Sequence, residues 1–310
     1  RALPSMLNYL LRRLGQSAIT VMLVTLIIFV IIRLIGDPTH LMLPPEATEA
    51  DRQLLRVQMG LDRPIIVQYG MYLLDLVRGD LGMSYRFSRP ALGVVIEALG
   101  PTLILTTSAL MLAIAIGVPL GVLSAVHRDG PIDQFAKIFA VLGQAAPPFL
   151  FSLLFIKLFS LQLGWFPTGG YGRVVNLILP MLALGWYSAA GIMRLTRSSM
   201  IEVLDSEYIK LARIKGVPQR AIVYRHALRN ALLPVITFTA LQFGILMGGA
   251  VSVEFVFSWP GVGRLMLESI SNLDYTVVQA AVTVGALLFT TLNLVVDIIY
   301  AMIDPRIRYA

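Results

Sequence analysis

The chain has 310 residues, of which 57% are hydrophobic and 14% charged, with a formal net charge of +7 and no cysteine. Soluble domains carry roughly 25% charged residues, so this composition points to lipid as the solvent. The missing thiols exclude disulfides, iron–sulfur clusters and thiolate zinc sites.

In chain order, Met6 opens the stretch Met6-Leu7-Asn8-Tyr9-Leu10, which makes residues 1–5 read as an upstream extension. Apolar runs free of charge follow at 14–32, 98–126, 138–156, 174–193, 231–253 and 275–296. A helix needs about 20 apolar residues to cross a hydrocarbon core, and backbone in lipid must be satisfied within its own segment, so each run is expected to be a transmembrane helix. The first run is too long for a signal-peptide core, and no small-residue cleavage site follows it. None of the runs alternates polar and apolar residues as barrel strands do.

Cations in the short loops set the expected orientation. One side holds Arg1, Arg12, Arg13, Arg128, Lys137, Arg306, Arg308 and the basic 194–230 loop; the other short loops hold Arg173 and Arg264. The first side is expected to be cytoplasmic, with both termini inside. The positive charge thus serves topology, and nucleic acid is not an expected partner. The long connection 36–97 is expected to form an extracytoplasmic subdomain, with a short amphipathic helix over 49–59 and an apolar helix over 64–74 that is too short to span. The domain reading is 1–97 for the first helix with its subdomain, 98–303 for a five-helix transmembrane domain, and 304–310 for a cytoplasmic tail.

The 194–230 loop is too long for a plain connector. Asp205 or Ser206 can cap a helix running to about Lys215, where Gly216-Val217-Pro218 breaks it and a second helix runs to about Asn230. Tyr208, Leu211, Ala212 and Lys215 fall on one face of the first helix. The pattern fits either a solvated hairpin or a docking element for a cytoplasmic partner.

Chemistry is sparse. The chain contains no Gly-Lys pair and so no Walker A motif, no His-Glu-x-x-His, and no arguable catalytic triad. His40, His127 and His226 read as scattered polar loop residues. Catalytic, cofactor and metal residues are therefore expected to be absent from this chain. Arg33 is placed to snorkel from the end of the first span. Lys157 either snorkels or faces a water-filled pathway; Asp297, with Asn293 one turn away, either pairs with a neighbouring helix or lines that pathway. Gly244-x-x-x-Gly248-Gly249 permits close helix approach.

Short signatures occur in order along nearly the whole chain. They include Leu11-Arg12-Arg13-Leu14, Gly36-Asp37-Pro38, Leu61-Asp62-Arg63-Pro64 with Gln68-Tyr69, and Gly79-Asp80-Leu81-Gly82. Arg194-Leu195-Thr196-Arg197-Ser198-Ser199-Met200, Ala212-Arg213-Ile214-Lys215-Gly216 and His226-Ala227-Leu228-Arg229-Asn230-Ala231 come later. Phe257-Ser258-Trp259-Pro260-Gly261-Val262-Gly263-Arg264, Asp274-Tyr275 and Asp304-Pro305-Arg306-Ile307-Arg308 complete them. In these the chain resembles the permease subunits of dipeptide, oligopeptide, glutathione and nickel importers of the ATP-binding cassette (ABC) class.

The resemblance implies a pore subunit of the inner membrane that imports peptide-like solutes by alternating access. It implies a related second permease, two ATPases that bind ATP and Mg, and an extracytoplasmic solute-binding protein. It also implies that the 205–216 helix is the coupling helix, with Glu207, Tyr208, Leu211, Ala212, Arg213, Lys215 and Gly216 as candidate contacts. The broad Glu-Ala-Ala-x-x-x-Gly signature is reduced here to Ala212 and Gly216. The alternatives are a secondary transporter driven by an ion gradient and an ABC importer for a nickel complex or short glycan. A channel or a membrane enzyme would need a filter motif or buried catalytic groups that the sequence does not display.

Overall fold

The computed structural model describes residues 3–35, 48–58 and 60–303. Among these the architecture is helical, and the β pairing is an isolated antiparallel bridge between Met83 and Pro90. The helices are α1 (Leu3–Ile35), α2 (Glu49–Gln58), α3 (Ile65–Val77), α4 (Ala91–Val126), α5 (Pro131–Ala145), α6 (Pro148–Gln162), α7 (Val174–Leu204), α8 (Glu207–Ile214), α9 (Gln219–Val256), α10 (Val262–Ser271) and α11 (Tyr275–Ile303). Stretches of α1, α4, α7, α9 and α11 are long and apolar enough to cross a bilayer, and α5 with α6 makes a sixth crossing if the pair is one span.

The expectation of one continuous helix over 138–156 fails. α5 and α6 meet at 102°. Pro147 and Pro148 supply no backbone N–H, and each proline disfavours the helical region for the residue before it. Ala146 and Pro147 are accordingly extended, at φ −140°, ψ 150° and φ −68°, ψ 154°. The second half of α6, Ile156–Gln162, is wound as a π-helix. A second difference concerns the helix expected to end near Asn230: α9 instead runs unbroken from Gln219 into the span, through a π-helical turn over Ile222–Ala227. The tail 304–310 and the Gly36-Asp37-Pro38 signature lie outside the described residues.

The described chain forms two compact units: residues up to 99 with those from 265 onward, and Gly100–Arg264. In the first, α1 packs along α11. α3 is joined to both helices by a tyrosine pair. Tyr69 donates to the Met22 carbonyl at 2.8 Å and shares a hydrogen bond with Thr25 at 3.0 Å, while Tyr72 shares one with Thr283 at 2.7 Å. Phe29 packs against both tyrosine rings in tilted contacts, with centroids 5.5 and 5.9 Å apart. Arg33 does more than snorkel: its Nε donates to Gln68 at 3.0 Å and its guanidinium lies over Phe29. Asp274 caps the start of α11 and accepts from the Ser84 hydroxyl at 2.5 Å, which ties the turn after Gly79-Asp80-Leu81-Gly82 to this helix.

In the second unit α7 is the central helix, buried against α4, α5, α6 and α9. Small residues set the spacing. A Cβ at Gly117 of α4 would lie 2.8 Å from the Ala189 carbonyl, and one at Gly121 would lie 2.7 Å from the Met193 carbonyl. Backbones this close give dispersion contact that bulky side chains would block. Ala136, Ala140 and Gly143 do the same for α5, with Gly143 against the Trp186 ring.

Candidate functional site

α8 is the short helix that the sequence marks as a docking element. Its inner face is set by Ile209, fully buried in a cluster with Val122, Ala125, Met200, Leu204, Ile222, Val223, Ala227 and Ala231. This cluster locks α8 onto the ends of α4 and α7 and the start of α9. Its outer face keeps Tyr208, Leu211 and Ile214 exposed, at 44%, 55% and 83%. Glu207, Lys210, Arg213 and Lys215 are also exposed, and Ala212 is half-buried. Lys210 pairs with Glu207 at 2.7 Å, and the Tyr208 hydroxyl accepts from Asn230 at 2.7 Å.

The helix begins after Ser206, as expected, but not through a side-chain cap: the Ser206 hydroxyl donates back to Val203. It ends at Gly216, whose φ of +76° suits glycine. There the Val217 N–H reaches the Ala212 carbonyl at 3.1 Å and the Gly216 N–H reaches Arg213 at 3.0 Å. These two bonds are the Schellman arrangement, which satisfies the last carbonyls and turns the chain. Elbow and inner core therefore hold the exposed face at a fixed angle.

Behind this helix is a polar node that the sequence reading missed. Asp133, fully buried at the start of α5, accepts a forked pair of bonds from Arg197, Nε at 2.6 Å and Nη2 at 2.9 Å. Ser124 donates at 2.5 Å, Lys137 lies at 2.9 Å, and the Asp129 N–H donates at 3.0 Å. Arg197 belongs to the stretch expected to be a loop, yet it lies inside α7 and joins that helix to α4 and α5. The available signal was an acid one turn ahead of Lys137, four residues after Asp129, beside a basic cluster.

A second buried acid was also missed. Glu254 accepts from Thr102 at 2.7 Å and from the N–H groups of Gly263 and Arg264 at 2.8 and 3.1 Å, capping α10. A Cβ at Gly261 would clash with the Glu254 carboxylate, and the Trp259 indole donates to the Pro101 carbonyl at 2.9 Å. The Trp259-Pro260-Gly261-Val262-Gly263 signature is thus the cradle of this carboxylate. Its signal was an acid placed just beyond an apolar run and seven residues before glycine.

Lys157 is exposed on the π-helical half of α6, and Asn293 is half-buried on α11. The two belong to different units. Asp297 lies on α11, but its side chain falls outside the described residues. On α9, a Cβ at Gly248 would meet nothing within 4 Å and one at Gly249 would touch Leu184 only at 3.6 Å; Gly244 is half-buried. Among the described residues, close helix approach runs through Gly117 and Gly121 rather than through Gly248 and Gly249. A cavity of about 460 Å³ sits at the α5–α6 bend, lined by Phe135, Ile138, Phe155, Phe159 and Trp186 among others. Its walls offer no charge to a zwitterionic solute.

The family of binding-protein-dependent transport system inner membrane components matches residues 117–309, and its N-terminal membrane component family matches residues 6–114. The chain belongs to this permease family. The glutathione transport system permease protein GsiC of Escherichia coli is 41% identical over 305 residues, covering 98% of this chain and 100% of that one. The protein of the same name from Salmonella paratyphi A is 42% identical with the same coverage. Among solved structures, the inward-facing MetNI methionine ABC transporter matches with a TM-score of 0.58 at 20% identity, covering 72% of the permease and 100% of that chain. An amino acid ABC transporter crystallised with histidines matches at 0.53 and 17%, covering 67% and 92%. At these identities the structures speak for the fold. The permease is the pore-forming membrane subunit of an ABC importer, a multi-pass protein of the inner membrane. This sets aside the gradient-driven alternative.

Proposed function

We propose that the permease imports glutathione or a related short peptide, together with a second permease of the same family, two ABC ATPases and an extracytoplasmic solute-binding protein. The solute class rests on the 41% identity to the glutathione permease, which extends through both chains almost end to end. In this reading both termini and the 194–230 region are cytoplasmic, and the 36–97 connection belongs to the extracytoplasmic side. The cation distribution supports that orientation.

The observation that carries the mechanism is the division of α8 into two faces. Ile209 is buried in the chain's own core, while Tyr208, Leu211 and Ile214 are exposed around the same helix. An apolar face on a rigid projecting helix fits a groove, because burying it removes apolar surface from water at about 25 cal/mol per Å². ATP closes the ATPase dimer, α8 moves with its groove, and the cluster around Ile209 passes the motion to α4, α7 and α9. ATP and Mg are held by the ATPases. At least one of Lys157 and Asp297 is proposed to face the solute pathway, with Asn293 one turn from Asp297; either charge would meet one end of a zwitterion.

Uptake of labelled glutathione and dipeptides by cells expressing the complete complex tests the solute class. Accumulation that depends on the binding protein and on ATP is expected. Transport of a nickel complex or a short glycan with no peptide uptake would overturn it.

A further inference from the structure

The start of α9 carries a second surface, distinct from α8. Ile222, Val223 and Ala227 face the core, and the opposite side exposes Arg220, Tyr224, Arg225 and Arg229, with Tyr224 at 60%. The π-helical turn at Ile222–Ala227 shapes this stripe. Its wider winding brings residues four to five apart into line, so Arg220 lies on the same face as Tyr224 and Arg225 on the same face as Arg229.

None of the three arginines has an acidic partner among the described residues, although Arg128, Lys137, Arg197 and Lys210 do. The stripe also continues straight into the apolar run beginning at Ala231. At 1.5 Å per residue, Arg229, Arg225 and Arg220 lie about 3, 9 and 16 Å from that run. The headgroup layer on each side of the hydrocarbon core is roughly 5–7 Å thick, so Arg229 and Arg225 reach phosphate depth directly or along their stems. Arg220 lies about 9–11 Å from that layer, slightly more than the Debye length of about 8 Å at physiological salt, and its long stem shortens the gap. An exposed tyrosine among them suits the same interface, where aromatic rings collect.

We propose that Arg220, Tyr224, Arg225 and Arg229 form a binding surface for the anionic phospholipid headgroups of the inner leaflet. It rests on the cytoplasmic placement of this segment under the function proposed above. The ATPase is the weaker candidate for this stripe, because the apolar face that suits a groove is on α8 and the stripe is almost entirely charge.

The test uses the assembled complex in lipid discs of phosphatidylcholine, alone or mixed with phosphatidylglycerol. Association of spin-labelled phosphatidylglycerol, relative to spin-labelled phosphatidylcholine, is read at low and high salt for wild type, Arg220→Gln, Arg225→Gln, Arg229→Gln and the triple variant. Wild type should prefer phosphatidylglycerol, less so in high salt, and each substitution should lower the preference up to about fivefold, the equivalent of about 1 kcal/mol per cation. An unchanged preference in the triple variant overturns the site. So does loss of the ATPases from the variant with lipid preference intact, which would make the ATPase the partner. A single cysteine at 220 separates the two failures: labelling from outside intact cells overturns the orientation itself, and labelling only from the inner face leaves the orientation standing.

Discussion

The Asp133 and Glu254 nodes differ from α8 in where their bonding groups are spent. At the nodes, polar atoms converge inside the chain: Asp133 collects donors from α4, the turn before α5, α5 itself and α7, and Glu254 from Thr102 on α4 and the first turn of α10. On α8 the inward residue is matched, while the outward apolar side chains of Leu211 and Ile214 are left exposed. A group satisfied internally is maintained for the fold. A rigid helix with an exposed apolar face is available to a partner, the role proposed for α8.

That contrast predicts opposite effects on stability and transport. The largest loss of stability is expected at Asp133. Arg197→Met removes the forked pair and leaves the buried Asp133 with Lys137, Ser124 and the Asp129 N–H, so the cost is about 3–4 kcal/mol, toward the low end for breaking a buried pair. Detergent-solubilised protein should melt well below wild type and be recovered in lower yield. A wild-type melting curve would show that the Asp133 node is dispensable. Next comes Glu254→Ala, which leaves the Thr102 hydroxyl and the Gly263 and Arg264 N–H groups without their acceptor. At about 1–3 kcal/mol for an unsatisfied buried donor, some relieved by relaxation, a loss of roughly 2–4 kcal/mol is expected. Glu254→Gln keeps one acceptor oxygen and should melt between the two.

Gly216→Val sharpens the comparison from the other side. A β-branched residue at φ +76° costs about 1–3 kcal/mol locally. The protein should still insert, while ATP-driven uptake falls further than the melting temperature would account for. Equal losses in both would reduce the elbow to a fold element. The smallest stability effect belongs to Leu211→Asp, within about 0.5 kcal/mol because the site is exposed. Uptake by the assembled complex should nevertheless drop at least tenfold. Normal uptake in that variant would remove α8 from the coupling path.

Much of the fold was legible because lipid leaves few choices: each of the six apolar runs is helical in whole or in part. The break at Pro147-Pro148 was equally visible as two prolines inside a run, and was missed because hydropathy registers length and not backbone donors. The elbow at Gly216 was legible because the glycine's φ is a local property. Ser206 shows the limit of such local reading, since its hydroxyl had a closer acceptor at Val203 than the helix it precedes. Asp133 with Arg197, and Glu254 with Thr102, were not legible. Their partners are 64 and 152 residues apart, and nothing in either local sequence specifies the other.

The bend between α5 and α6 bears on how the chain enters the bilayer. Each half has 15 residues and measures about 22 Å, short of the roughly 30 Å hydrocarbon core. Neither half can therefore cross alone, and the carbonyls freed at the bend are costly in lipid unless protein or water meets them. α7 supplies the neighbouring surface, with Trp186 stacked on Phe139 of one half and Phe155 of the other. Biogenesis should then be out of step with synthesis. The halves leave the ribosome before α7, but their stable residence in the membrane waits for it.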